Sequence, residues 1–165
     1  MSSLVAELQK LVDIIHEPQG ISKDVVTMYD YVLMHGESFE TAPLDPVRYR
    51  KGRLGQCFTN ALRRAEVHGE LYYVEGFAST DMGMFFHHGW NVYKDPETKT
   101  FKVVDVTWSD DAGVEYFGVP FDTRWALKHA TNNKIFSFLD DMENGHPIIR
   151  GAIDIMEIRA WPKEL

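Results

Sequence analysis

The sequence predicts an α+β fold: helices at the N-terminus, another near mid-chain, and an antiparallel sheet of at least three strands packed on that helix. Three observations carry this expectation. Apolar residues recur at helical spacing over the first third of the chain, and the period changes to two after Gly69. The period-two segments that follow are separated only by Gly or Asp-Pro punctuation. With 165 residues, 44% hydrophobic and 13% aromatic, one domain spanning 1–165 is expected to build its core without disulfides or a structural metal. A formal net charge of −8 argues against nucleic-acid partners held by phosphate neutralisation and against an anionic membrane surface. No apolar run approaches the roughly 20 residues of a bilayer span, and Glu7, Asp13 and Glu17 interrupt the first twenty residues. Cys57 is the single cysteine, which fits a reducing, cytoplasmic setting and leaves no Cys-rich zinc site.

The helical part is expected over 3–36. Leu4, Leu8, Leu11 and Ile15 place one apolar face on a first helix closed by Pro18 and Gly20. Ser22 is expected to cap a second helix carrying Val25, Met28, Tyr29 and Val32, with Gly36 as a left-handed stop. Glu37 to Gly55 reads as an irregular loop holding the one basic stretch, Arg48, Arg50, Lys51 and Arg53. A core is expected over 55–119. Its helix begins at or just before Cys57, buries Ala61, Leu62 and Ala65, and stops at Gly69. Strands are expected at Leu71–Ala78, Phe85–Tyr93 and Phe101–Trp108, with a short fourth at Glu115–Val119. Beyond Pro120, Thr123 is a cap for a helix over Trp125 to Ala130, while Lys134 to Met142 and Ile148 to Trp161 read as either helix or strand.

A lone cysteine at a helix start, a histidine in one strand and an aspartate in the next supply the three roles of nucleophilic thiol chemistry: thiolate, proton-shuttling imidazole and orienting carboxylate. A turn centred on Pro96 and Glu97 pairs Val92 with Phe101, Trp90 with Val103 and His88 with Asp105. His88 then shares a face with Asp105 and with the apolar positions that a helix is expected to cover, whereas His87 lies on the opposite face with Gly89 and Asn91. Adjacent strand residues cannot ligate one ion, so no metal is expected at His87 and His88. A helix N-terminus favours the Cys57 thiolate and offers the Cys57 N–H as an oxyanion donor, with Gln56 or, less suitably placed, Asn91 as the second. Gly55 would allow close approach of a substrate carbonyl, Trp90 would wall the pocket, and Arg48, Arg50 and Arg53 are candidates for binding an acidic substrate group.

Gly55-Gln56-Cys57 opening a helix, Tyr73-Val74-Glu75-Gly76 on a strand, His88-Gly89-Trp90, and Val103-Val104-Asp105-Val106-Thr107 together resemble the core of the transglutaminase-like superfamily, within the wider papain-like group. The resemblance runs from Gly55 to Trp108, departing at Gly89 where Ala is common and at Val106 where Pro is common. Small stand-alone versions of this kind resemble phage-encoded proteins. The resemblance implies Cys57 as nucleophile, His88 as general base and acid, and Asp105 as the orienting carboxylate. It also implies cofactor-free acyl transfer on a protein, peptide or small amide or ester. Proteases, amidases, deamidases, acyltransferases, cross-linkers and inactive members share that core, so a catalytically silent protein-binding module is the alternative. Asp105 also reads as a turn carboxylate bonded to backbone, and thiol redox sensing by Cys57 is awkward without a resolving cysteine.

Overall fold

The computed structural model describes residues 3–17, 20, 22, 26–108 and 113–162. The first helix, α1 (Ser3–Ile15), buries Leu4, Leu8 and Val12, so Leu11 and Ile15 lie at the margin of the buried stripe. Its free N-terminal amides are capped from far along the chain. The Glu115 carboxylate accepts the Ser3 and Leu4 N–H groups at 3.1 and 2.7 Å. Pro18 and Val25 lie outside the described residues.

The second helix, α2 (Met28–His35), starts later than a Ser22 cap requires, because Thr27 and Asp30 form a reciprocal capping box. Gly36 is extended (φ −77°, ψ 167°) and leads into a short strand, β1 (Glu37–Phe39), where a loop was expected. What requires glycine there is proximity: a Cβ would stand 2.5 Å from the Val32 carbonyl oxygen. Next come α3 (Cys57–Val67), β2 (Tyr72–Ser79), β3 (Phe85–Lys94), β4 (Phe101–Val104) and β5 (Glu115–Phe121). His68, not Gly69, is the C-cap of α3. The helix α4 (Thr123–Asn133) is capped by Asp122, whose side chain accepts the Trp125 N–H, instead of by Thr123. The remainder is turns and one short helix, α5 (Ile155–Ile158), so neither of the two ambiguous terminal segments is a long helix or a strand.

The five strands form one antiparallel sheet in the order β1-β5-β2-β3-β4. The expected marginal fourth strand, β5, is thus interior. Pro120 is tolerated in it because pairing with β1 stops at Gly118, so its missing N–H breaks no bond there. The β3–β4 hairpin pairs Val92 with Val103, a shift of two residues from the expected register. Asp95 accepts the Glu97 and Thr98 N–H groups at 2.8 and 3.0 Å, and Lys99 takes φ 64°, which moves the turn one residue along. A shift of two leaves every side chain on its expected face.

Which face the helix covers is different from expectation. The helix α3 lies on the side of Gly89 and Asn91: a Cβ on Gly89 would stand 2.7 Å from Phe58 Cδ1 and 3.1 Å from its Cα. Asn91 donates to the Ala61 carbonyl at 2.9 Å. This side joins Ala61 and Leu62 to Tyr73, Phe77, Val119, Phe121 and the buried stripe of α1. The other side carries His88 over an aromatic cluster of Phe39, Trp90 and Tyr116, with Trp161 stacked on Phe101 at 4.0 Å. Among the described residues, no helix is long and apolar enough to cross a membrane.

Candidate active site

Cys57 is the first residue of α3 and is half-buried. Gln56, the N-cap, makes no side-chain cap bond. The first N–H groups of the helix have no acceptor within it. Gly55 adopts φ +75° with open space where a Cβ would stand, so its left-handed backbone, not crowding by neighbours, calls for glycine.

β4 ends at Val104 rather than at the expected Trp108, and Asp105 is the reason. Its Oδ1 accepts the Thr107 and Trp108 N–H groups at 2.8 and 3.1 Å, which turns the chain away from the sheet. Its Oδ2 accepts from His88 Nε2 at 2.7 Å and from the Tyr116 hydroxyl at 2.9 Å. Asp105 is therefore both the turn carboxylate and the partner of the imidazole, one oxygen for each. Because β4 pairs with β3 only from Asn91 to Lys94, β3 has no β4 neighbour at His88. Past that open edge the Cys57 side chain, from a helix on the other side, comes near enough to the imidazole to raise its pKa. With Nε2 on Asp105, Nδ1 is the nitrogen left for sulfur.

Burial opposes charge on His88, yet the bond to the Asp105 carboxylate, with Cys57 acting in the same direction, outweighs it and raises its pKa to about 9. Burial likewise pushes Asp105 up, but His88 and the two backbone N–H groups hold it below the usual carboxylate range. Tyr116 is raised, by burial first and then by the adjacent Asp105, so it stays a neutral donor.

The imidazole stacks on Trp108 (centroids 4.3 Å apart), with Trp90 at 6.3 Å. Trp90 is only 1% exposed and forms the floor beneath His88 rather than the pocket wall expected of it. Trp108 and the exposed Phe86, in edge contact at 6.1 Å, form the wall. Buried Asn60, one turn after Cys57, donates to Thr107 Oγ1 at 2.9 Å and to the Arg53 carbonyl at 2.7 Å, tying α3 to the aspartate turn. Sequence reasoning missed Tyr116, Thr107 and Asn60. Asn60 left a signal as a polar residue beside the apolar stripe of the helix, and Thr107 left one as the last residue of the Asp105 motif.

Asn91 does not reach the site: it is fully buried and its amide holds the Ala61 and Tyr72 carbonyls. Of the three basic candidates, Arg48 is bound to Glu70 at 2.7 Å and Arg50 is exposed elsewhere, while Arg53 joins Gln56 along a groove. His87, on the helix side, pairs with buried Glu75 at 3.0 Å. Glu75 also accepts from the Phe138 and Leu139 N–H groups at 2.7 and 2.9 Å and from the Ser137 and Tyr73 hydroxyls at 2.8 and 3.0 Å. Burial raises the Glu75 pKa, but His87 and the backbone donors hold it below its ordinary value. Among the described residues, no three His, Cys, Asp or Glu side chains converge as a metal site.

Fold and site define an α+β protein with a curled five-stranded antiparallel sheet, an imidazole hydrogen-bonded to a carboxylate, and a thiol near enough to that imidazole to raise its pKa. Compared with known proteins, the chain matches no family model, no curated protein and no solved structure.

Proposed function

We propose that this protein is a cysteine-dependent acyl-transfer enzyme acting on an amide or ester, built on a transglutaminase-like core. One observation carries the reading: buried His88 is hydrogen-bonded to Asp105 at 2.7 Å, and the Cys57 side chain that opens α3 joins Asp105 in raising its pKa. The reaction calls for a Cys57 thiolate beside the His88 imidazolium, and His88 stays protonated across neutral pH. Cys57 Sγ attacks the carbonyl carbon, and the carbonyl oxygen takes the negative charge beside the Cys57 N–H and the Gln56 side chain. His88 gives its proton to the leaving amine or alcohol as that bond breaks, leaving a thioester. Water or a second amine then loses a proton to His88, attacks the thioester, and the thiolate returns with the imidazolium. Asp105 keeps the ring oriented and stabilises its charge throughout.

Alkylation of Cys57 by iodoacetamide, followed against pH in the wild type and in His88→Ala, tests this. The expected result is labelling that persists to about pH 6 and collapses in His88→Ala. Labelling that rises only near pH 8 to 9, alike in both proteins, would sink the proposal. It would favour the silent binding module, for which exposed Leu54, Met84 and Phe86 near the site supply apolar anchors.

A further inference from the structure

From Gln56, the residue before Cys57, an open groove of about 910 Å³ runs along the outer face of α3, lined by Lys51, Arg53, Gln56, Asn60, Arg63 and Arg64. On a chain of net charge −8 this is an inverted local field: four cations against one carboxylate, Glu66. Among the described residues, none of the four cations is held in an ion pair, whereas Arg48, Lys102 and Arg159 all are. Like charges this close repel one another, and a structural role would have supplied their counter-charges. Two independent segments build the groove, the 51–56 approach to the helix and the outer face of α3. Asn60 clamps them together through the Arg53 carbonyl, and its second bond reaches the Asp105 turn through Thr107.

We infer that this groove binds an acidic peptide segment, holding Asp or Glu side chains of a protein substrate alongside Cys57. The identity of the reacting bond rests on the acyl-transfer reading; the binding does not. An open trough suits an extended chain better than a small molecule, and exposed Leu54 and Val67 at its ends offer apolar contact to neighbouring side chains. Gln56 both lines the groove and holds the N-cap position of α3, so a chain lying in the groove passes the residue that precedes Cys57.

The test measures fluorescein-labelled hexaglutamate binding by anisotropy to the catalytically disabled Cys57→Ser protein, which separates it from turnover. Tight binding is expected, weakened about tenfold or more by Arg63→Glu/Arg64→Glu and by raising NaCl from about 50 to about 300 mM. Lys51→Gln/Arg53→Gln, a milder pair, should weaken it in the same direction, and Lys128→Glu on α4 should leave it unchanged. In the wild type, unlabelled hexaglutamate should slow Cys57 alkylation, and Arg63→Glu/Arg64→Glu should abolish that protection. Binding no tighter than hexalysine, insensitivity to both groove variants, or binding that leaves Cys57 alkylation unslowed would each overturn the inference. Tighter binding of oligothymidylate than of hexaglutamate would overturn the peptide assignment. Hexaglutamate binding with an unreactive thiol would uphold the groove and reject the acyl-transfer reading alone.

Discussion

Asp105 shows how one side chain serves fold and chemistry together. Its Oδ1 ends β4 by taking two backbone N–H groups, and its Oδ2 receives His88 and Tyr116. Asp105→Asn should therefore keep the turn, because an amide oxygen still accepts those N–H groups, while losing the charge that supports the imidazolium. We expect Cys57 alkylation at pH 6.5 and any turnover to fall on the order of 10²- to 10⁴-fold with the far-UV spectrum unchanged. Tyr116→Phe removes one hydrogen bond to a buried charge and should cost roughly 1.5 to 3 kcal/mol in urea unfolding, leaving the thiol reactive. A site that tolerated Asp105→Asn with full reactivity would remove the carboxylate from the mechanism.

The placement of α3 depends on a residue that has no side chain. Phe58, next after Cys57, packs against Gly89, next after His88, and a Cβ there meets the Phe58 backbone as well as its ring. Gly89→Val should push the first turn of α3 off β3, part Cys57 from His88, and destabilise the fold by about 1 to 3 kcal/mol. Alkylation at pH 6.5 would then fall further than the loss of stability explains, which a comparison with the equally destabilised Tyr116→Phe checks. Gly89 also shows why sequence reasoning assigned the helix to the wrong face. Period-two alternation separates two faces but does not say which one a helix covers when both are buried, and the vacancy at glycine made the difference. The same alternation put His88, not His87, on the face of Asp105 despite a register error, since a slip of two preserves the face.

Across the whole molecule, two carboxylate–imidazole pairs lie on opposite sides of one strand. Glu75 and His87 anchor the 137–139 segment to the sheet, joining the C-terminal turns to the core. Glu75→Ala would leave two buried N–H groups and a histidine without their acceptor, and a loss of about 3 to 5 kcal/mol is expected in chemical unfolding. The pairs also set the pH response. His88 is raised from 6.5 to about 9, so its contribution to stability is complete below about pH 6.5 and is lost as pH rises through about 9. Glu75 and Asp105 are lowered, so theirs is present above the ordinary carboxylate range and lost on acidification. Urea unfolding from pH 4 to 10 should give greatest stability between these limits, and His88→Gln should flatten the alkaline limb.

From residue order alone came the α+β class, the helix that opens at Cys57, the β2 and β3 segments, and the choice of His88 and Asp105. Each follows from local periodicity, punctuation or side-chain parity, which neighbouring residues impose on one another. The interior position of β5, the early end of β4, the face taken by α3, the tyrosine behind Asp105 and the groove that α3 arginines share with Lys51 and Arg53 emerged only in three dimensions. They depend on pairings between residues far apart in the chain, where competing strand orders bury similar apolar surface and packing around Gly89, Asn60 and Asp105 selects one.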